Sequence, residues 1–154
     1  MAVALGALVA TPVSAKKKKI VVAGPPITMS DGFRASAASA ETALKARDTA
    51  TAAARIGALS PTSEFETYVA AAMRYQLAVQ RRDVQAQRIA LTDLFKSPEL
   101  PKAEAPRLRY VAGYLSFLVG NYDDATAQLD YAKTLGYDGI DATMLRADIA
   151  LRRN

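Results

Sequence analysis

The sequence predicts an all-α protein built as a short array of antiparallel helix–turn–helix hairpins closed by one further helix. Three observations predict it. Apolar residues make up 51% of the 154-residue chain, yet only 7% are aromatic and Trp is absent, so alanine supplies much of that fraction. Ala, Leu, Gln, Arg and Glu are good helix formers, and a chain rich in them and poor in β-branched residues favours helix over strand. From Phe33 onward the apolar residues recur at helical spacing. Asp48, Asp83 and Asn121 then stand at successive helix starts, 35 and 38 residues apart. A period in the mid-thirties made of helical hairpins is the signature of a solenoid.

Residues 1–15 resemble the later part of a secretory signal peptide. Ala2 to Ala10 form a short apolar run, Pro12 breaks it, and Val13-Ser14-Ala15 supplies small residues at a cleavage site. The run is too short to span a bilayer, so no integral membrane segment is expected once it is cleaved. This places the protein in an exported, periplasmic setting; retention of the segment on a cytoplasmic chain is the alternative. Lys16 to Lys19 and Gly24-Pro25-Pro26 make residues 16–32 a basic linker without regular structure. The four lysines account for four of the five net positive charges, so the rest of the chain carries only +1. A body so close to neutral has no strong field for DNA or RNA, and nucleic acid is not an expected partner.

The remaining chain, 33–154, reads as one helical domain. Residues 33–46 form a helix with Ala37, Ala40, Ala43 and Leu44 on one face. Asp48 caps the next, 49–59, whose apolar positions are Ala52, Ile56 and Leu59. Ser60-Pro61 stops it. Ser63 and Glu66 have capping-box spacing, Ser63 accepting from the third helical N–H while Glu66 reaches back. The helix they open, 64–80, carries Tyr68, Ala72, Tyr75 and Val79 on one stripe. Asp83 starts another over 84–95, with Leu91, Leu94 and Phe95 apolar. After Ser97-Pro98 and Pro101, a helix runs to Val119 with Pro106 tolerated in its first turn. Gly120-Asn121 turns the chain into a helix from Tyr122 to Leu135, ended by Gly136 in a left-handed position. A last helix over about 140–152 places Ile140, Met144, Ala147 and Leu151 on one face.

Residues 106–137 resemble a tetratricopeptide repeat. The match rests on Gly113 at the small first-helix position, Gly120-Asn121-Tyr122 at the turn, and Ala125, Leu129 and Ala132 along the second helix. Residues 33–59 match through Ala40, Ala52, Ile56 and Leu59, and residues 64–95 match more loosely. Ser116 replaces the usual aromatic, Tyr137 the usual proline, Tyr75 a small residue and Gln87 an alanine. The resemblance implies a right-handed α-solenoid of about three hairpins plus a C-terminal helix. It also implies a concave face, lined by the first helix of each hairpin, that holds a peptide or protein segment. Position by position, that face receives Arg34, Glu41 and Lys45 from the first hairpin, Gln76 and Gln80 from the second, and Arg107, Tyr110, Tyr114 and Phe117 from the third. The helix bearing the last four is apolar nearly all round, and such helices are ordinarily buried; core packing therefore competes with binding for Tyr110, Tyr114 and Phe117. A non-repetitive helical bundle remains the competing architecture.

Chemistry is sparsely provided for. The chain has no His and no Cys, so the usual base near neutral pH and the best thiol nucleophile are both missing. Asp123, Asp124 and Asp130 have no loop that would gather the six or more oxygens Ca²⁺ requires, and an acidic first turn facing the helix dipole accounts for Asp123 and Asp124. Gly24-Pro25-Pro26 lacks the spacing of a phosphate loop. No enzyme, cofactor or metal is expected. The expected role is that of a non-catalytic interaction scaffold of the cell envelope with a protein or peptide partner; the alternative is a helical bundle acting as a regulator or as a subunit of an envelope enzyme.

Overall fold

The computed structural model describes residues 29–153; the signal-like segment 1–15 and most of the linker 16–32 lie outside them. The described residues form seven α-helices and no strand: α1 (Asp31–Lys45), α2 (Thr49–Gly57), α3 (Glu64–Arg81), α4 (Val84–Lys96), α5 (Ala105–Leu118), α6 (Tyr122–Thr134) and α7 (Ile140–Arg153). The protein is all-α. α1 begins two residues before the expected start because Ser30 caps it, its side chain accepting from the Phe33 N–H. Helix contacts run between sequence neighbours, with α1 beside α3 and α5 beside α7; among the described helices no pair further apart in order touches.

The three hairpin turns share one geometry. In each, a residue with left-handed backbone follows the first helix: Arg47 at φ 56°, Arg82 at φ 56° and Gly120 at φ 76°. The next residue donates its N–H back six positions inclusive, from Asp48 to the Ala43 carbonyl, from Asp83 to Ala78 and from Asn121 to Ser116, at 2.9–3.0 Å. This closes the exposed carbonyls of the helix end in the Schellman manner. The same residue then caps the second helix, with Asp48, Asp83 and Asn121 accepting from the N–H of Thr51, Ala86 and Asp124. One residue thus finishes one helix with its backbone N–H and starts the next with its side chain, and the second task is why an Asp or Asn recurs there. Gly136, at φ 93°, ends α6 in the same way.

Apolar burial is divided among three clusters strung along the chain. The first joins Phe33, Ala37, Ala40 and Leu44 of α1 to Ala52 and Ile56 of α2 and Ala70 and Leu77 of α3. The second joins Ala71 of α3, Leu91 and Leu94 of α4, and Leu108, Ala112 and Leu115 of α5. The third joins Ala125 and Leu129 of α6 to Ala142, Leu145 and Ile149 of α7. α3 therefore faces two clusters at once. That corrects the single stripe expected for it: Tyr68, Ala72 and Tyr75 are half-buried against the second cluster, Ala70 and Leu77 enter the first, and Val79 is exposed. At α5 and α6 the helices meet closely over Gly113, where an added Cβ would stand 3.1 Å from the Ala125 carbonyl oxygen.

The four residues expected on one face of α7 share it, and that face is the solvent side. Ala142, Leu145 and Ile149 point inward, while Ile140, Met144, Ala147 and Leu151 face solvent. The helix carries two apolar stripes on opposite sides, and helical periodicity alone does not choose between them.

The capping box at Ser63 is half realised. Ser63 Oγ accepts from the Glu66 N–H, but the Glu66 carboxylate does not return to the helix end as expected. One oxygen accepts from the Ser30 N–H and hydroxyl at 2.7 and 2.8 Å, the other from the Thr62 N–H and hydroxyl at 2.7 and 2.8 Å. The side chain is buried without a cation, and its four donors substitute for water. The Thr62 and Ser30 N–H bonds hold its pKa down at about 2. Glu66 thereby ties the start of α1 to the start of α3.

Candidate partner-binding surface

The first-hairpin candidates lie exposed along α1 and are paired with local partners. Arg34 meets Asp31 at 3.5 Å and the Met29 carbonyl, and Lys45 meets Glu41 at 2.6 Å. Gln76 of α3 is exposed. Gln80 is half-buried, and its amide donates to the Leu44 carbonyl at 2.9 Å. It is a strap from α3 onto the end of α1, next to a second strap from Arg81 to the Thr49 carbonyl. Its side chain is thereby committed to the junction between hairpins.

The α5 stripe divides. Tyr110 stacks on Tyr137 with ring centroids 5.0 Å apart, and the Tyr137 hydroxyl donates to Asp141 at 2.6 Å. That bond, with burial and the Asp141 charge, pushes Tyr137 up to about 12, and it also holds the Asp141 carboxyl below its usual range. Burial, and then the Asp141 charge, raises Tyr110 as well. Phe117 packs on Tyr122 with centroids 6.0 Å apart and lies under the Arg152 guanidinium at 5.2 Å. Both rings serve the seam between α5, α6 and α7. Tyr114 between them is 44% exposed, and Arg107 at the start of α5 is exposed too. Of the four α5 candidates, Arg107 and Tyr114 are open to solvent, whereas Tyr110 and Phe117 belong to packing.

A cleft of about 550 Å³ between α4, α5 and α6 was not foreseen. Ser116 Oγ donates to Asp124 at 2.5 Å, Gln128 to the same carboxylate at 3.2 Å, and Arg88 at 3.4 Å. Burial works to raise the Asp124 carboxyl; these hydrogen bonds outweigh it and hold it below its usual range. Arg109 donates to Gln128 at 2.9 Å, with its guanidinium 3.7 Å from the Phe95 ring centroid and 4.5 Å from that of Tyr131. Burial lowers its pKa. These polar groups answer one another, so the cleft acts as a clamp of α4 onto the α5/α6 hairpin. One signal was readable: Arg88 and Asp124 are 36 residues apart, as are Ser30 and Glu66, and Leu44 and Gln80. Ser116, a polar residue on the largely apolar α5, was the other.

The acidic residues near the α6 start also gain specific roles. Asp123 pairs with Arg153, Asp124 with Arg88 and Asp130 with Arg146. The helix dipole alone therefore does not account for Asp123 and Asp124, because each carboxylate meets its own arginine. Among the described residues no three or more His, Cys, Asp or Glu side chains gather as a metal site, and no helix is long and apolar enough to cross a membrane. No protein-family model, curated protein or solved structure matches the chain.

Proposed function

We propose that the chain is a non-catalytic scaffold of the cell envelope: a right-handed array of tetratricopeptide-like hairpins that holds a segment of a protein partner on the face shared by α1, α3 and α5. The observation that supports this reading most is the threefold recurrence of one turn geometry at Arg47-Asp48, Arg82-Asp83 and Gly120-Asn121. Hydrogen bonds joining residues 36 apart across successive hairpins add to it. Repeated hairpins stacked on their neighbours create an extended surface rather than a closed pocket. On that surface Tyr114 is the best anchor, a half-exposed ring on the helix whose Tyr110 and Phe117 are taken up by packing. Tyrosine is among the residues that most often carry the binding energy of an interface. Arg107, Gln76, Arg34, Glu41 and Lys45 give the same face its polar rim.

The test begins with a photo-crosslinking residue at position 114 in the protein produced in its own cells. It should capture one protein partner, and a crosslinker at Arg55 of α2 should not. Tyr114→Ala, which removes an exposed ring and leaves the helical fold intact, should weaken that partner's binding about tenfold or more. Equal capture from both positions, or unchanged affinity in Tyr114→Ala, would sink the surface. The export reading has its own measurement: mass spectrometry of the protein recovered from the envelope should give Lys16 as the first residue, and an intact Met1 on a cytoplasmic chain refutes it.

A further inference from the structure

α7 presents a second apolar stripe that nothing among the described residues covers. Ile140 is 81% exposed, Met144 63% and Leu151 75%. With the exposed Ala147 they fall at i, i+4, i+7 and i+11, one continuous stripe of a helix. It lies opposite the buried residues Ala142, Leu145 and Ile149. Single exposed apolar residues are common, but three large ones aligned on one helix mark an interaction surface. We infer that this stripe is a self-association face, and that its occupant is α7 of a second copy, packed antiparallel.

Two features select that occupant. The first is charge. Asp141, which accepts from the Tyr137 hydroxyl, lies in the first turn of α7 and Arg152 in its last, while the neighbouring Asp138 and Arg153 are already paired within the chain, with Lys133 and Asp123. Arg152 has no carboxylate partner among the described residues; its guanidinium rests over Phe117. In an antiparallel pair the acidic end of each helix meets the basic end of the other, so Arg152 reaches Asp141 of the second copy at both ends of the contact. A parallel pair would set Asp141 against Asp141 and Arg152 against Arg152, which repels. The helix dipoles favour the same antiparallel choice.

The second feature is shape. A two-fold axis between residues 145 and 146 sets Met144 against Ala147 of the second copy, and Ile140 against Leu151. The long Met144 side chain then fills the space left by the small Ala147, twice by symmetry, while the two larger pairs close the ends. Such a self-matching patch is what an isologous contact requires. The α1–α3–α5 surface lies elsewhere in the fold, so this inference stands or falls apart from the scaffold reading.

Sedimentation velocity of the 154-residue chain over a rising micromolar series should give a concentration-dependent dimer. Met144→Glu and Leu151→Glu, both at exposed positions, should each be monomeric with an unchanged circular-dichroism spectrum and melting midpoint. Because the chain lacks Cys, engineered thiols can read the register. A mixture of Met144→Cys and Ala147→Cys chains should form a disulfide-linked heterodimer. Ile140→Cys alone should stay unlinked, since its symmetry mate would lie about 16 Å further along the helix axis. A chain monomeric at every concentration overturns the proposal. So does a dimer that survives both glutamate substitutions, or one locked by Ile140→Cys alone.

Discussion

The two ends of the molecule solve the same joining problem with different chemistry. Between the first and second hairpins the tie is a buried carboxylate, Glu66, held by four neutral donors, with Gln80 reaching over to the Leu44 carbonyl. Between the third hairpin and α7 the ties are aromatic and ionic: Tyr110 stacked on Tyr137, Tyr137 bonded to Asp141, and Arg146 paired with Asp130 at 2.5 Å. The N-terminal tie centres on one buried carboxylate. The C-terminal one is spread over a half-exposed seam. On the proposed repeat reading each junction needs to be stable only against its neighbour, so the two junctions are free to differ, and they should fail under different conditions.

The largest way to separate them is through their cores. Leu44 of α1 and Leu129 of α6 are both fully buried, in different clusters. Truncation of either to Ala should cost about 2–5 kcal/mol, the usual range for a leucine cavity. If stability is passed between neighbours, Leu44→Ala should release amide protection first in α1 and α2 and leave α6 and α7 protected; Leu129→Ala should do the reverse. Hydrogen exchange followed by mass spectrometry reads both. Loss of protection everywhere in both variants would mean a single cooperative unit and would count against independent junctions.

The next separation uses pH. Glu66 has its pKa held down at about 2 in the folded chain, against 4.5 for an ordinary glutamate. Its unfolded form binds the proton more readily, so its contribution is complete above about pH 4.5 and is lost as the pH falls toward 2. Tyr137 has the opposite sign. Its hydroxyl is pushed up to about 12 from 10, so its contribution is complete below pH 10 and is lost as the pH rises toward 12. Melting midpoints across pH should therefore fall at the acid edge through the first junction and at the alkaline edge through the last. Glu66→Gln should flatten only the acid edge; Tyr137→Phe should flatten the alkaline edge and, because its hydroxyl is the main group holding the Asp141 carboxyl down, should also remove a smaller part of the acid one. An acid edge unchanged in Glu66→Gln would show that the drop comes from other carboxylates such as Asp124 and Asp141, which are also held below their usual range.

Helix positions were legible because alanine content, apolar period and capping residues point the same way, and α1, α2, α3, α4 and α6 each start at a Ser, Asp or Asn side-chain cap. What was hidden follows from the same logic. A capping residue such as Glu66 announces a hydrogen bond, but not that its partner is Ser30, 36 residues earlier. α7 carries two apolar stripes, and only packing against α5 and α6 decides that Leu145 and Ile149 turn inward while Met144 and Leu151 stay out. The α5 stripe was legible as a row but not as a division: Tyr110 finds Tyr137 and Phe117 finds Tyr122, which leaves Tyr114 free. Pairings between distant residues depend on how hairpins stack, and a single sequence carries that only indirectly.

The smallest separation lies in the turns. Arg47, Arg82 and Gly120 occupy the same left-handed position, but only glycine adopts it without a Cβ penalty. The two N-terminal turns therefore carry strain that the third lacks. Arg82→Gly relieves that strain, although glycine also gains freedom in the unfolded chain, so the net gain should be a few tenths to about 1 kcal/mol. Gly120→Ala should cost about 1 kcal/mol, because nothing lies within 4 Å of the added Cβ and backbone strain is then the whole effect. Arg82 makes no ion pair among the described residues, so its loss removes little else. Urea titrations of both variants should move the midpoint in opposite directions with the slope unchanged. A destabilised Arg82→Gly would mean that its side chain contributes more than its backbone costs, and the three turns would then be alike in shape only.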